Sequence, residues 1–246
     1  MTASRKVALV TGSAAGIGRA TAIRFAKLGY AVAVNYSKSQ REAEETFAAV
    51  KRAGVPAILC RTTVGDDAGV RAMVARCRAE FGGLDVLVNN AGTTHFIPNT
   101  DLEALTEQVW EDIFRVNMLG TFYGCRAAMP LLKERKGSIV NVTSVAGLQG
   151  QGSSIPYAMS KAALNCLTQA LARAFAPDVR VNAVAPGPVL TRWLVGHEDM
   201  VDKSLAATPM QRAATPDDIA DAIVFLATGT ALMTGQVVVV DGGRTM

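Results

Sequence analysis

Residues 6–29 read KVALVT, then GSAAGIG, then RATAIRFAKLG. A short apolar run, a glycine-rich turn and apolar residues at helical spacing, closed by Gly29, predict strand, turn and helix. Gly12, Gly16 and Gly18 keep side chains away from the turn. Backbone N–H groups can then approach an anion at the helix N-terminus, where the dipole favours negative charge. The spacing is G-x-x-x-G-x-G, not the G-x-G-x-x-G of other dinucleotide folds. The same alternation continues along the chain. Strands are expected at Ala31–Asn35, Ala57–Arg61, Leu84–Asn89, Gly137–Val142, Val179–Val184 and Gln236–Val240. Helical periodicity separates them, at Ser39–Ala53, Asp66–Phe81, about Thr106 to Lys133 with a break near Pro130, Tyr157 to about Ala176, and Pro216–Ala227. The fold class that follows is α/β: one doubly wound Rossmann domain over 1–246, a seven-stranded parallel sheet with helices on both faces.

Composition narrows the function. The chain has 246 residues, half of them hydrophobic, enough for one large α/β domain with a substantial core. The net charge of +4 comes from scattered basic residues, and the longest basic cluster, Lys133–Lys136, is interrupted by Glu134. No nucleic-acid partner is expected from such a pattern. The four cysteines, Cys60, Cys77, Cys125 and Cys166, form no C-x-x-C pair, and His95 and His197 are the two histidines, so no metal site is expected. Each cysteine lies in an apolar segment and reads as a reduced core residue. With no signal h-region and no span of about 20 apolar residues, the expectation is a cytoplasmic protein without membrane contact.

The chemistry gathers near the fifth strand. Tyr157 and Lys161 stand four apart behind Pro156, with Ser153 and Ser154 available as helix caps. On a helix their Cβ atoms would be about 5–6 Å apart on one face. A unit charge 4 Å away, at an effective dielectric near 20, is worth about 4 kcal/mol, or roughly 3 pKa units before desolvation opposes it. Lys161 is therefore expected to draw the Tyr157 phenol toward the range of an acid/base catalyst. Taken alone, such a pair is more often an ordinary surface tyrosine and lysine. Ser144, at the end of strand five, could donate a hydrogen bond to a substrate carbonyl. A hydrolase built on Ser144 lacks a G-x-S-x-G elbow and a histidine partner. Asn117 falls mid-helix, where an Asn is usually exposed or locally bonded. After strand two, Asn35-Tyr36-Ser37-Lys38 contains no acid to bind a ribose 2′-hydroxyl. Ser37 and Lys38 would accept a 2′-phosphate, which favours NADP over NAD. Asn89-Asn90-Ala91-Gly92 ends strand four, where an open α/β sheet receives its ligand. Residues 188–212, with Trp193, His197 and several methionines, suit a mobile cover over a site.

Taken in this order, TGSAAGIG at 11–18, NNAG at 89–92, Asn117, Ser144, Tyr157-x-x-x-Lys161, Pro186-Gly187 and Thr191 resemble the short-chain dehydrogenase/reductase family over residues 5–243. The subgroup is similar to 3-oxoacyl-[acyl-carrier-protein] reductases. The resemblance implies Tyr157 as the acid/base, Lys161 lowering its pKa and bonding the nicotinamide ribose, Ser144 orienting the carbonyl, and Asn117 holding a water in a proton relay. It further implies that Gly12, Ser13, Gly16 and Ile17 line the cofactor phosphates and adenosine. Asn90 and Gly92 would flank the ribose, and Pro186, Val189 and Thr191 would hold the nicotinamide end. Such proteins are homotetramers or homodimers, paired through the helices bearing Asn117 and Tyr157, and act on small carbonyl or alcohol substrates. Two departures stand out. Thr63-Val64 replaces the usual Asp-Val or Asp-Leu that bonds adenine, and Ala14-Ala15 fills a turn where many NADP-dependent relatives carry Arg or Lys. For an acidic carrier protein, Lys133, Arg135 and Lys136 are the expected basic rim, with Pro177-Asp178 a departure beside it. The alternatives left open are an NAD-dependent alcohol or sugar dehydrogenase of the same family and a non-catalytic nucleotide-binding protein.

Overall fold

The computed structural model describes residues 5–194, 196, 206 and 208–246. Its strands are β1 (Val7–Val10), β2 (Ala31–Tyr36), β3 (Ala57–Arg61), β4 (Val86–Asn89), β5 (Ser138–Val142), β6 (Arg180–Pro186) and β7 (Val237–Val240). They form one sheet in the order β3-β2-β1-β4-β5-β6-β7, and every pairing is parallel. β1, β2 and β4 are buried along their whole lengths because both faces are covered. Alternate residues serve opposite faces. Val7 and Leu9 pack with Met73, Cys77, Cys125 and Leu132, whereas Ala8 and Val10 pack with Phe25, Val50, Ile219 and Ile223. The first face is covered by α3 (Asp67–Phe81), α5 (Gly120–Arg135) and α7 (Ile155–Phe175). The second is covered by α1 (Gly16–Lys27), α2 (Gln40–Arg52) and α8 (Pro216–Val224). The winding reverses between β1 and β4, which opens a crevice at the carboxyl ends of the strands.

Helix starts follow their side chains. Asp66 accepts from the Ala68 N–H to cap α3, Ser154 accepts from the Tyr157 N–H to cap α7, and Thr215 and Asp218 cap α8 reciprocally. The expected break near Pro130 does not occur, and α5 runs through it. The irregularity lies earlier. After α4 (Glu107–Phe114), residues Arg115–Leu119 form a π turn that contains Asn117. A chain of buried polar groups fastens α7 to the sheet. Asn89 Nδ2 donates to Asn141 Oδ1 at 2.9 Å, and Asn141 Nδ2 donates to Thr168 Oγ1 at 2.9 Å. Between these, α6 (Ala146–Gln149) lies against α7 at Gly147, where a Cβ would come within 2.5 Å of the Lys161 carbonyl carbon.

Two expectations are corrected here. Cys60, Cys77 and Cys125 are buried, but Cys166 is exposed, because position 166 falls on the outer face of α7. Lys133, Arg135 and Lys136 end α5 immediately before β5 begins, so they sit at the sheet edge opposite the crevice and cannot rim it. Lys133 pairs there with Asp178 at 3.5 Å. Residues 195, 197–205 and 207, which include His197 and the middle of the expected cover at 188–212, lie outside the described residues. Among the described residues no helix is long and apolar enough to cross a membrane, and none of their side chains form a metal-binding cluster.

Candidate active site

The glycine turn is built by close backbone approach. Gly12 has φ +61°, and a Cβ there would lie 2.8 Å from Ala91 Cα. At Gly18 a Cβ would meet the Gly12 carbonyl oxygen at 2.5 Å. Asn90 braces the same turn, with Nδ2 donating to the carbonyls of Thr11 at 2.9 Å and Gly12 at 3.1 Å. The Gly16 face of the turn looks onto Thr191, whose Cγ2 lies 3.2 Å from where a Cβ would stand.

Asn35 and Ser13 are placed differently from the expectation that they contact cofactor. Asn35 is buried beneath the turn, where its Oδ1 accepts from the Gly12 N–H at 3.0 Å. Its Nδ2 donates to the carbonyls of Cys60 and Thr62 at 3.2 and 3.0 Å. Ser13 Oγ donates to the Val10 carbonyl at 2.8 Å and accepts from the Asn35 N–H at 3.0 Å. Both side chains hold the turn in place. Tyr36 likewise turns inward, packed with Ala14 and Ala43, while Ile17 packs against the core on the α1 face. Val64 is buried as well. What remains open at this end is a groove of about 540 Å³ lined by Ser37, Lys38, Arg61, Thr62, Thr63, Asp66 and Gly69. Arg61 was not singled out by sequence. Its signal was a charged residue at the last position of an otherwise apolar strand.

At the other end of the crevice Lys161, Tyr157, Ser144 and Asn117 converge. Lys161 is 4% exposed, and its Nζ donates to the Val142 carbonyl at 2.9 Å. Burial lowers its pKa to about 8. The ammonium carries three donors, and among the described residues this carbonyl is its one hydrogen-bond acceptor. It lies 5.7 Å from the Tyr157 ring centroid. The Tyr157 pKa is raised by burial, and the hydrogen bond with Ser144 opposes that shift. The expected lowering by Lys161 is thus corrected. The ammonium sits over the ring, directed at the Val142 carbonyl, and burial of the phenol is the largest cause of the shift. Ser144 Oγ accepts from the Ala146 N–H at 3.1 Å, which leaves its own O–H to donate. Trp193 stacks obliquely on Tyr157, ring centroids 6.2 Å apart. Sequence placed Trp193 in the cover without a role at the site.

Asn117 is fully buried, contrary to the usual state of a mid-helix Asn. Its Oδ1 accepts from the Thr93 N–H at 2.8 Å, and Nδ2 donates to the Thr93 carbonyl at 3.0 Å and Ser160 Oγ at 3.0 Å. Ser160 Oγ in turn donates to the Tyr157 carbonyl at 2.7 Å. The π turn is what aims Asn117 at both partners. His95 pairs with Asp112 at 3.2 Å and shows no link to Ser144, so no hydrolase dyad exists among the described residues.

The residues present fit a dinucleotide. The space above Gly92 lies 3.4 Å from Asn117 Oδ1, 3.6 Å from Trp193 and 3.8 Å from Lys161 Nζ, measured from where a Cβ would stand. It offers a buried cation with donors to spare. Pro186 ends β6, and beyond it Val189 bridges to Ala214.

Comparison with known proteins agrees with this geometry. Residues 12–245 match the family model described as enoyl-(acyl carrier protein) reductase. The chain is 44% identical over 241 residues to the granaticin polyketide synthase protein of Streptomyces violaceoruber assigned as ketoacyl reductase 2, covering 96% of this chain and 95% of that one. It is 38% identical over 245 residues to the 3-oxoacyl-[acyl-carrier-protein] reductase FabG of Staphylococcus aureus, covering 98% of each. A crystal structure assigned as a short-chain dehydrogenase/reductase, from Burkholderia xenovorans, matches with a TM-score of 0.93 at 38% identity over 99% of both chains.

Proposed function

Because this chain belongs to the short-chain dehydrogenase/reductase family, we propose that it is an NADP-dependent oxidoreductase reducing a carbonyl substrate, with a 3-oxoacyl thioester as the leading substrate class. The observation that carries this reading is the meeting of Ser144, Tyr157 and Lys161 just beyond the carboxyl end of β5 and in the first turns of α7, with Lys161 Nζ reaching the space above Gly92. The relatives named as ketoacyl and 3-oxoacyl reductases support the substrate class.

A bound reduced nicotinamide supplies the hydride. The chain's own residues manage the oxygen. Ser144 donates its hydroxyl to the carbonyl oxygen and holds it beside Tyr157. Tyr157, kept protonated at neutral pH by burial, gives up its proton as negative charge develops on that oxygen. Lys161 would hold a positive charge next to the resulting phenolate and, with the N–H groups that Val142 leaves free, would hold the cofactor's ribose hydroxyls. Asn117 fixes the Gly92–Thr93 wall through its two bonds to Thr93. Both its Nδ2 donors are used and its Oδ1 already accepts from Thr93, and its part in a proton relay would fall to its backbone carbonyl, which now accepts from Thr121 Oγ1 at 2.7 Å. At the far end Ser37 and Lys38, both exposed, would receive the 2′-phosphate.

A single domain would carry both binding and catalysis, as a homotetramer or homodimer paired across α5 and α7. Met159 and Cys166 lie exposed on the outer face of α7, where such a partner would sit. The test is loss of absorbance at the nicotinamide band with NADPH and a panel of ketones and 3-oxoacyl thioesters. Turnover with at least one 3-oxoacyl thioester, faster with NADPH than NADH, is the expected result. Absence of any ketone reduction overturns the reading.

A further inference from the structure

We propose that Arg192 is a cofactor-selectivity residue: its guanidinium crosses the crevice to complete, with Ser37, Lys38 and Ser39, a pocket for the 2′-phosphate of NADP(H). This rests on the dinucleotide reading above and sharpens it.

Arg192 opens a short 3-10 turn, Arg192–Leu194, beyond β6. In the sheet order β6 lies three strands from β1 on one side, while β2 flanks β1 on the other. Nevertheless Arg192 Nη2 donates to Ser39 Oγ at 3.0 Å, and Nη1 lies 3.3 Å from Glu42 Oε1. Both partners belong to the start of α2. The preceding residue, Thr191, leans on the glycine turn at Gly16. The chain therefore passes over the turn, and the arginine side chain spans the remaining distance to the loop after β2. The turn beneath it holds Ala14 and Ala15 and brings no cation of its own. Ser37 and Lys38 are exposed immediately beside Ser39.

A 2′-phosphate placed there would meet an ammonium, serine hydroxyls and a planar guanidinium. The guanidinium can bond two phosphate oxygens at once, which a lysine cannot match. Glu42 supplies the anion that holds Arg192 now. That pair is 60% and 37% exposed, and a pair so exposed is weak. It yields to a phosphate dianion at small cost. NAD, with a plain hydroxyl at this position, gains nothing from the guanidinium.

Calorimetric titration of the full-length protein with NADP⁺, NAD⁺ and 2′,5′-ADP tests this on wild type, Arg192→Ala, Arg192→Lys and Glu42→Gln. Arg192→Ala should weaken NADP⁺ and 2′,5′-ADP about tenfold, the size of one lost charge-assisted contact, and leave NAD⁺ within about twofold. Arg192→Lys should recover part of that loss. Glu42→Gln should tighten NADP⁺ about threefold by removing a competing and repelling charge. Equal weakening of NADP⁺ and NAD⁺ overturns the proposal, because Arg192 would then act on what the two share. Unchanged NADP⁺ affinity in Arg192→Ala, with the thermal transition preserved, overturns it as well. If wild type binds neither dinucleotide, the functional reading itself falls, whatever the variants do.

Discussion

The two ends of the crevice are made differently. Around Gly92 the polar groups are sealed in: Asn117 and Ser160 are fully buried, Lys161 nearly so, and each hydrogen-bonds within the protein. Around Ser37 the groups stand in water: Lys38, Arg61 and Thr63 line an open groove, and among the described residues no side-chain hydrogen bond fixes them. The first arrangement costs folding free energy and gains preorganisation, since donors and dipoles in a low dielectric act strongly and need not rearrange as charge develops. The second costs little, because solvated charges pay no desolvation. It can discriminate ligands by charge but cannot do chemistry. Changes at the sealed end should therefore act on turnover, and changes at the open end on affinity.

Replacing Tyr157 with Phe should give the largest effect. Turnover should fall by about 10³-fold or more with dinucleotide affinity within about threefold, because only the proton donor is lost. Steady-state kinetics beside calorimetry would show the split, and a parallel loss of affinity would break the contrast. Ser144→Ala should lower turnover by about 10²-fold, the range for one oxyanion donor, again with affinity held.

Lys161→Met should lose about 10²-fold in turnover and also change stability in a pH-dependent way. Burial brings the lysine pKa from 10.5 to about 8. Below pH 8 it is charged in both folded and unfolded chains, and the full burial penalty weakens the fold. Between pH 8 and 10.5 the unfolded chain holds the extra proton, so rising pH relieves the penalty. The variant should thus unfold at a higher temperature than wild type at pH 7, and the gap should narrow as pH approaches 10.5. Buried Cys77 and Cys125, each with its pKa raised to about 12, destabilise both proteins alike as pH climbs. The difference between the two melting curves therefore isolates the lysine. A gap independent of pH would show that folding leaves the lysine pKa at its ordinary value.

The smallest effects belong at the open end. Lys38→Ala should raise KM for NADPH several-fold, by roughly one exposed charge contact, without changing kcat. Arg61→Ala should weaken both dinucleotides by about threefold or less. A drop in kcat from either would sharpen the comparison by showing that the two ends are coupled.

How much of this was legible depended on range. The sheet was readable because each βα unit writes its own signal locally: an apolar strand, a glycine turn or cap, then helical spacing. Tyr157 and Lys161 were readable because one helix sets their spacing. Asn117 is legible in sequence but its burial is not, since Thr93 and Ser160, which hold its side chain, come from other elements. Pro130 misled because a proline's local penalty can be absorbed inside a packed helix. The Arg192 contacts were invisible, as they join residues about 150 apart in sequence. The Tyr157 pKa was misjudged because spacing gives the neighbour's charge but not the solvent removed around the phenol.

The wedge of Asn35 beneath the glycine turn carries a lesson for redesign. An ionised carboxylate introduced there would have no proton to offer the carbonyls of Cys60 and Thr62, at a position almost wholly buried. Anyone seeking to convert this protein to a different coenzyme by planting an acid on the second strand should avoid that position. The mutable handles lie farther along, on the wet side of the loop.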